Sequence, residues 1–253
     1  MSAPGIHDEP QAVISTRRRQ TSRGAPRTLA IDIGGSGVKA AVLNGRGGII
    51  GERVRVKTPA RCPPALLIRT VAKLVAPLGQ YHRVSVGFPG VVREGIVRTA
   101  PNFDSAQWRG FDLAQALTRA LKRPVRVFND AEVHGFGVIM RKGLELVITL
   151  GTGFGSAIFR DGELMPHLEL SQHPVHGDKT YDEYIGDRAR KRVGTPKWNR
   201  RVRRVLGILE TVVGYDRLHV GGGNAQRIAF PLGRRVRTVD NTAGLQGGIA
   251  LWR

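Results

Sequence analysis

The sequence predicts an α/β protein built from two similar lobes that face each other across a cleft, and three observations carry that prediction. From Thr28 onward short apolar runs alternate with segments of helical period, the pattern of strands interleaved with helices. The run Leu29-Ala-Ile-Asp-Ile-Gly-Gly-Ser-Gly-Val-Lys-Ala-Ala-Val-Leu-Asn-Gly45 overlays without gaps on Leu146-Val-Ile-Thr-Leu-Gly-Thr-Gly-Phe-Gly-Ser-Ala-Ile-Phe-Arg-Asp-Gly162. Each copy reads as a strand, a Gly/Ser/Thr turn, a second strand and an Asn-Gly or Asp-Gly turn. The length of 253 residues, 41% of them hydrophobic and 24% charged, suits one large domain or two small ones with a sizeable core. A duplicated unit in such a chain implies lobes at residues 28–130 and 131–253 behind a tail at 1–27. Chance likeness of two glycine-rich hairpins is the alternative.

Taken in order, residues 1–27 have no hydrophobic period, carry Arg17, Arg18, Arg19, Arg23 and Arg27, and are broken by Pro4, Pro10 and Pro26, which predicts a disordered basic tail. After the first strand-turn-strand, Pro64 can start a helix whose inner face is Leu67, Val71, Leu74 and Leu78. Val84 to Phe88 reads as a strand. Asp112 can cap a helix with Leu113, Leu117 and Leu121 inward, and the strand Val125 to Phe128 follows Pro124. Beyond the second copy, Val202, Val205, Leu206, Leu209, Val212 and Val213 fall at helical spacing and lead into a strand at Leu218 to Val220.

Charge and cysteine content narrow the classes. Forty Lys+Arg against 20 Asp+Glu give a formal charge of +20, which attracts polyanions such as nucleic acid, polyphosphate, acidic lipid or phosphorylated small molecules, or else serves solubility alone. No run approaches the roughly 20 apolar residues of a membrane helix, and no secretory signal pattern opens the chain, so a soluble cytoplasmic protein without a membrane partner is expected. Cys62 stands alone, which excludes an intrachain disulfide and a multi-cysteine zinc site.

Gly34, Gly35 and Gly37 leave backbone N–H groups free to converge on phosphate oxygens, with Ser36 and Lys39 adding a hydroxyl and a cation. Gly151, Thr152, Gly153 and Gly155 repeat the arrangement. Neither turn has the spacing of a Walker loop. Gly221-Gly222-Gly223-Asn224 can admit a flat base or ribose against the backbone, or simply make a tight connection. Asp32 beside the first turn can hold Mg²⁺ near phosphate or accept the turn's own N–H groups. Asn129-Asp130 ends a strand where α/β sheets bind ligands, so Asp130 can accept a proton from an alcohol that Asn129 orients, or cap the following helix. His167, Glu169, His173 and His176 match no compact zinc motif and better suit polyol binding.

Together these residues resemble the ROK family of repressors and sugar kinases, within the actin-like, hexokinase-like (ribonuclease H-like) superfamily. The resemblance runs from about Leu29 to Trp252 through Asp32-Ile-Gly-Gly-Ser-Gly-Val-Lys39, Gly87-Phe-Pro-Gly90, Ala100-Pro-Asn-Phe103, Asn129-Asp130, Leu150-Gly-Thr-Gly-Phe-Gly155, Glu169 with His173, and Gly221-Gly-Gly-Asn224. The stretch from Lys179-Thr-Tyr-Asp-Glu-Tyr184 to Lys197-Trp-Asn199 looks most like the bacterial polyphosphate glucokinases. The resemblance implies phosphoryl transfer from polyphosphate and/or ATP to the 6-hydroxyl of glucose or a close hexose. In it Asp130 is the base, and Asn102, Asn129, Glu169, Gln172 and His173 lie at the sugar. Asp32 serves Mg²⁺, the two glycine turns the phosphates, and Gly222 and Gly223 a nucleotide. A homodimer is also implied. One departure stands out: the family's Glu-x-Gly-His is here Glu169-Leu-Ser171-Gln172, and His167 stands where an Asn is common. A sugar-binding regulator without kinase activity is the alternative. No DNA-binding module is expected, since residues 1–27 are too short and too broken by Pro and Gly for a helix-turn-helix.

Overall fold

The computed structural model describes residues 25–101, 103, 105–240 and 242–252; residues 1–24 of the expected tail and Asn102 lie outside the described residues. Thr28–Ile33 (β1) and Gly37–Leu43 (β2) pair antiparallel, and Ile49–Lys57 (β3) extends the ribbon. Period-two alternation divides β1: Leu29, Ile31 and Ile33 enter the core, while Ala30 and Asp32 take the opposite face. Pro64–Val75 (α1) opens with Pro64 in its first turn and buries Leu67, Val71 and Val75; Leu74 is only partly buried, and Leu78 packs at the margin beyond the helix end.

Arg83–Phe88 (β4) is followed by the small hairpin Val92–Arg93 (β5) and Ile96–Val97 (β6), then by Ser105–Trp108 (α2) and Leu113–Leu121 (α3). The Asp112 side chain caps α3 by accepting the Gln115 N–H at 2.8 Å. Val125–Asn129 (β7) completes a five-stranded sheet in the order β3-β2-β1-β4-β7, with β4 parallel to both β1 and β7. Its core includes Trp108, fully buried, whose Nε1–H is satisfied by the Cys62 carbonyl at 3.0 Å.

Asp130–Phe136 (α4) leads to Leu144–Leu150 (β8), Phe154–Arg160 (β9) and Glu163–Leu164 (β10). After the short pair Pro174–His176 (β11) and Lys179–Thr180 (β12) come three helices, Tyr181–Ile185 (α5), Asp187–Val193 (α6) and Thr195–Val213 (α7), then Arg217–Gly221 (β13) and Val236–Thr238 (β14). The second sheet runs β10-β9-β8-β13-β14, with β9 antiparallel to β8 and β10, and β13 parallel to β8 and β14. It repeats the strand order and directions of the first sheet. On α7, Val202, Val205, Leu206 and Leu209 are buried, whereas Val212 is 69% exposed on the polar side.

The two copies differ first in the length of their glycine turns. Ile33 pairs with Val38 across four turn residues, but Leu150 pairs with Phe154 across three. Val38 therefore matches Phe154, both in the cores, and Lys39 matches Gly155, both at the cleft. A one-residue slip would have turned each side chain to the wrong face. The second hairpins also differ: Asp161 and Gly162 both take positive φ (51° and 92°) in a tight turn, whereas Asn44 accepts the Arg46 and Gly48 N–H groups within a longer loop.

The chain end returns to the first sheet. Ala243–Gln246 (α8) and a 3-10 segment at Gly247–Trp252 pack on β1, β4 and α4. There Trp252 lies under the guanidinium groups of Arg83 (5.3 Å) and Arg126 (4.6 Å), and its Nε1–H is accepted by Ser85 Oγ at 2.9 Å. α4 contacts both sheets, at β4 and at β8 and β9. No helix among the described residues is long and apolar enough to cross a membrane.

Candidate active site

A cleft of about 800 Å³ runs between the two sheets and is lined by both glycine turns, the floor of α4 and the ends of β1, β7, β8 and β13. Strand alternation delivers its residues: Asp32 on β1, Lys39 on β2 and Arg55 on β3 are register partners in one row across the sheet. Lys39 Nζ lies 3.1 Å from Asp32 Oδ2.

In the first turn the Gly34 N–H is donated to Gly37 O at 2.9 Å and the Gly34 carbonyl accepts the Thr58 hydroxyl at 2.6 Å. In the second the Gly151 N–H is donated to Gly153 O at 3.0 Å. Among the described residues the N–H groups of Gly35, Ser36, Thr152 and Gly153 have no protein partner, so each turn presents donors to the cleft. Gly222 has φ +85° and packs so closely on the Leu150 backbone that a Cβ could not fit. Beside it, Asn224 donates from Nδ2 to Gly151 O at 3.2 Å and fixes the third glycine run against the second turn.

Asn129 is the N-cap of α4. Its Oδ1 accepts the Ala131 N–H at 2.8 Å, its Nδ2 is donated to Gly90 O at 3.1 Å, and Glu132 returns to the Asn129 N–H at 3.0 Å, closing a capping box. With Asn129 as the cap, Asp130 is the first helical residue and its carboxylate faces the cleft. Desolvation, then the nearby Asp32 charge, push Asp130 up to about 7, against the Ala131 N–H that favours the ionised form.

The loop after β10 brings Glu169 to the cleft. Ser171 Oγ–H is donated to Glu169 Oε1 at 2.6 Å, and His167 sits between Glu132 and Glu169. Burial opposes the charge on His167, but the hydrogen bond to Glu132 and the close carboxylate of Glu169 outweigh it and carry its pKa up to about 9. Asp182, at the start of α5, accepts the Phe154 N–H at 2.6 Å; burial pushes it up to about 6. Asp187 is held down to about 2, chiefly by Lys191 at 2.8 Å, with Arg190 and Asn224 adding to this. His134 on the cleft floor is buried and pushed down to about 4 by desolvation, so it is neutral at pH 7.

The sequence-predicted residues Asp32, Gly34, Gly35, Ser36, Gly37, Lys39, Asn129, Asp130, Gly151, Thr152, Gly153, Gly155, Glu169, Gly222, Gly223 and Asn224 thus line one cleft. Gln172 and His173 are not brought to its wall. Gln172 is exposed, and its Nε2 is donated to Ser171 Oγ at 3.0 Å and reaches Asp182 Oδ2 at 3.5 Å, while the His173 ring lies 6.4 Å from that of Tyr181. Motif reading missed Arg55, Glu132, His134, Asp182 and Asp187. The spacing Asn129-x-x-Glu132 is a readable capping-box signal, whereas Arg55 and His134 reach the cleft only through strand pairing and helix packing.

The ROK family model matches residues 28–167, more than half of the chain. The chain is 33% identical over 235 residues to a polyphosphate glucokinase of Mycobacterium tuberculosis (strain ATCC 25618 / H37Rv), covering 87% of this chain and 88% of the relative. The chain belongs to the ROK family. Another relative by sequence is a polyphosphate glucokinase of Mycobacterium leprae (strain TN), 32% identical over 237 residues, covering 87% of this chain and 73% of that protein. The crystal structure of an inorganic polyphosphate/ATP-glucomannokinase from Arthrobacter sp. strain KM superposes with a TM-score of 0.81 at 34% identity, covering 90% of this chain and all of that one. A ROK family glucokinase from Streptomyces griseus, in complex with glucose and AMPPNP, shares the fold with a TM-score of 0.74 at 20% identity, over 89% and 98% of the two chains. The actin-like, hexokinase-like architecture expected of a ROK protein is the one observed.

Proposed function

We propose that this ROK chain is a sugar kinase that transfers a phosphoryl group from polyphosphate and/or ATP to the 6-hydroxyl of glucose or a close hexose, with Asp130 as general base. The observation that carries this is the Asp130 carboxylate, raised to about 7 in a cleft that is also lined by two glycine turns whose N–H groups at Gly35, Ser36, Thr152 and Gly153 have no protein partner among the described residues. A base with that pKa is half ionised near neutral pH and is matched to accept an alcohol proton as the phosphoryl group departs from the donor. The turns and the basic side chains Lys39, Arg55, Arg188 and Arg190 supply charge neutralisation around the transferring group. Polyphosphate glucokinase relatives over most of the chain support the same assignment.

Mg²⁺ fits these residues. Asp32 offers a carboxylate beside the first phosphate turn, and among the described residues no group of three or more His, Cys, Asp or Glu forms an all-protein metal cage. This is the donor set of an ion held by one or two carboxylates together with donor phosphates and water. When bound it would neutralise developing phosphate charge. Asp32 would then exchange its Lys39 partner for the ion, and Lys39 would be released toward the phosphates.

Sugar hydroxyls would be received by Glu169 and Asn129, with Asn102, Gln172 and His173 as the remaining candidates. A homodimer in the cytoplasm is the expected setting. Purified protein with glucose, Mg²⁺ and either ATP or polyphosphate, assayed for glucose 6-phosphate, tests the reading, and absence of product with both donors overturns it. The departure at Ser171 and Gln172, whose side chains bond one another at 3.0 Å with Gln172 off the cleft wall, favours a second reading as an impaired sugar binder. That reading requires glucose binding by calorimetry without turnover.

A further inference from the structure

The loop that carries Glu169 into the cleft is tied back to the catalytic helix through one imidazole. His167 Nδ1 lies 2.8 Å from Glu132 Oε1 and Nε2 lies 3.5 Å from Glu169 Oε2, with side chains 8%, 5% and 23% exposed in that order. The Nε2 atom is buried and has no hydrogen-bond partner within the described residues, so its attraction to Glu169 is that of an ion pair without a closed hydrogen bond. Among the described residues no other basic side chain lies within 4.0 Å of either carboxylate. The two carboxylates therefore share one cationic partner, each meeting a different ring nitrogen of His167. Glu132 is already committed on its other oxygen to the Asn129 N–H, and Glu169 on its other oxygen to Ser171. A continuous line therefore runs from the N-cap of the helix bearing Asp130, through Glu132 and His167, to the cleft carboxylate Glu169.

We propose that His167 is a positioning residue of this site: as an imidazolium it holds Glu169 ionised and aimed at the sugar hydroxyls, and through Glu132 it fixes that contact relative to Asp130. The proposal rests on the reading of Glu169 as a sugar ligand. With Glu169 read as the sugar ligand and Glu132 bound to the helix N-cap, loss of the imidazolium should fall on sugar binding rather than on proton transfer. An asparagine at 167 can donate to one carboxylate but supplies no charge. The titratable groups facing His167 are Glu132 from α4 and Glu169 from its own loop, and both favour the protonated ring.

The test uses glucose binding by titration calorimetry, which does not depend on turnover, together with sugar KM, kcat and melting temperature. His167→Asn should weaken glucose binding about tenfold, the scale of one charge-assisted hydrogen bond, with kcat within about threefold. Glu132→Gln introduced on top of His167→Asn should add little, because the line is already cut. In the unmodified protein glucose affinity should hold from pH 7.5 to 8.5 and fall above about 9 as the ring loses its proton. That alkaline limb should be missing from His167→Asn. A residue of purely structural importance would lower the melting temperature without abolishing the limb. If Glu169→Gln leaves glucose binding unchanged, the sugar-ligand reading of Glu169 fails and takes the proposal with it. If Glu169→Gln weakens binding while His167→Asn does not, or the unmodified protein lacks the alkaline limb, the proposal alone is overturned. The pH series on the unmodified protein decides the matter should His167→Asn fail to fold.

Discussion

Replacing Asp130 by Asn should slow the enzyme and stabilise it, for one physical reason. The carboxyl is displaced from 3.8 to about 7 because its ionised form is desolvated and faces Asp32. Its native pKa lies above its unfolded one, so between pH 4 and 7 the folded state binds more protons than the unfolded state. Stability contributed by this group is therefore full below about pH 4 and is lost as pH rises through 7. At about 1.36 kcal/mol for each tenfold in the ionisation constant, the penalty at pH 8 is at most about 4 kcal/mol. Asn keeps the oxygen that accepts the Ala131 N–H and removes the charge. Urea unfolding should therefore show a gain of roughly 2–4 kcal/mol for Asp130→Asn at pH 8 that disappears near pH 4. In the same variant kcat should fall about 10²–10⁴-fold, the usual contribution of a general base, equivalent to about 3–5 kcal/mol of barrier, while sugar affinity stays within a few fold. In the parent, kcat/KM should fall below an apparent pKa of about 7. Unchanged stability at pH 8 would refute the desolvated carboxylate, and activity near the parent's would place the base elsewhere.

Ionic strength should separate the two donors. By analogy with single-stranded nucleic acid, each bound phosphate adds about 0.7 to the slope of log KM against log salt, so long polyphosphate should show a steep slope and ATP a shallow one. Arg55 and Arg188 line the cleft, whereas Arg200 and Arg203 line a separate hollow beside Phe230; changing the first pair to Gln should reduce the polyphosphate slope and changing the second should not, and equal slopes for both donors would sink polyphosphate as a donor. Outside the cleft lining, Glu145 and His219 are fully buried and 2.7 Å apart, with the Met140 N–H also donated to Glu145. Glu145→Ala strands these groups and should cost about 3–5 kcal/mol in urea unfolding while leaving kcat in the surviving folded fraction unchanged. Gly222→Ala combines φ +85° with a clash against the Leu150 backbone and should cost 2 kcal/mol or more, on the order of a strained left-handed residue plus displaced packing, read as a lowered melting temperature.

Local rules were sufficient for much of this molecule. Alternation in Leu29 to Ile33 places Asp32 opposite the apolar face, Pro64 and Asp112 mark helix starts by their own stereochemistry, and the likeness of residues 29–45 to 146–162 discloses two equivalent sheets, because strand period and turn chemistry depend on neighbours along the chain. The overlay still slips by one at the turns, since only cross-strand pairing counts four residues in one and three in the other. Tertiary structure also sorted the arginines that look uniform in sequence: Arg188 and Arg190 face the cleft, while Arg201 lies over the Tyr184 ring and Arg203 over Phe230. It alone brought Glu132, His167 and Glu169 into one line and set Asp32 near enough to Asp130 to shift it. Those effects arise from desolvation and from charges far apart in sequence, and neither quantity exists until the two sheets close on each other.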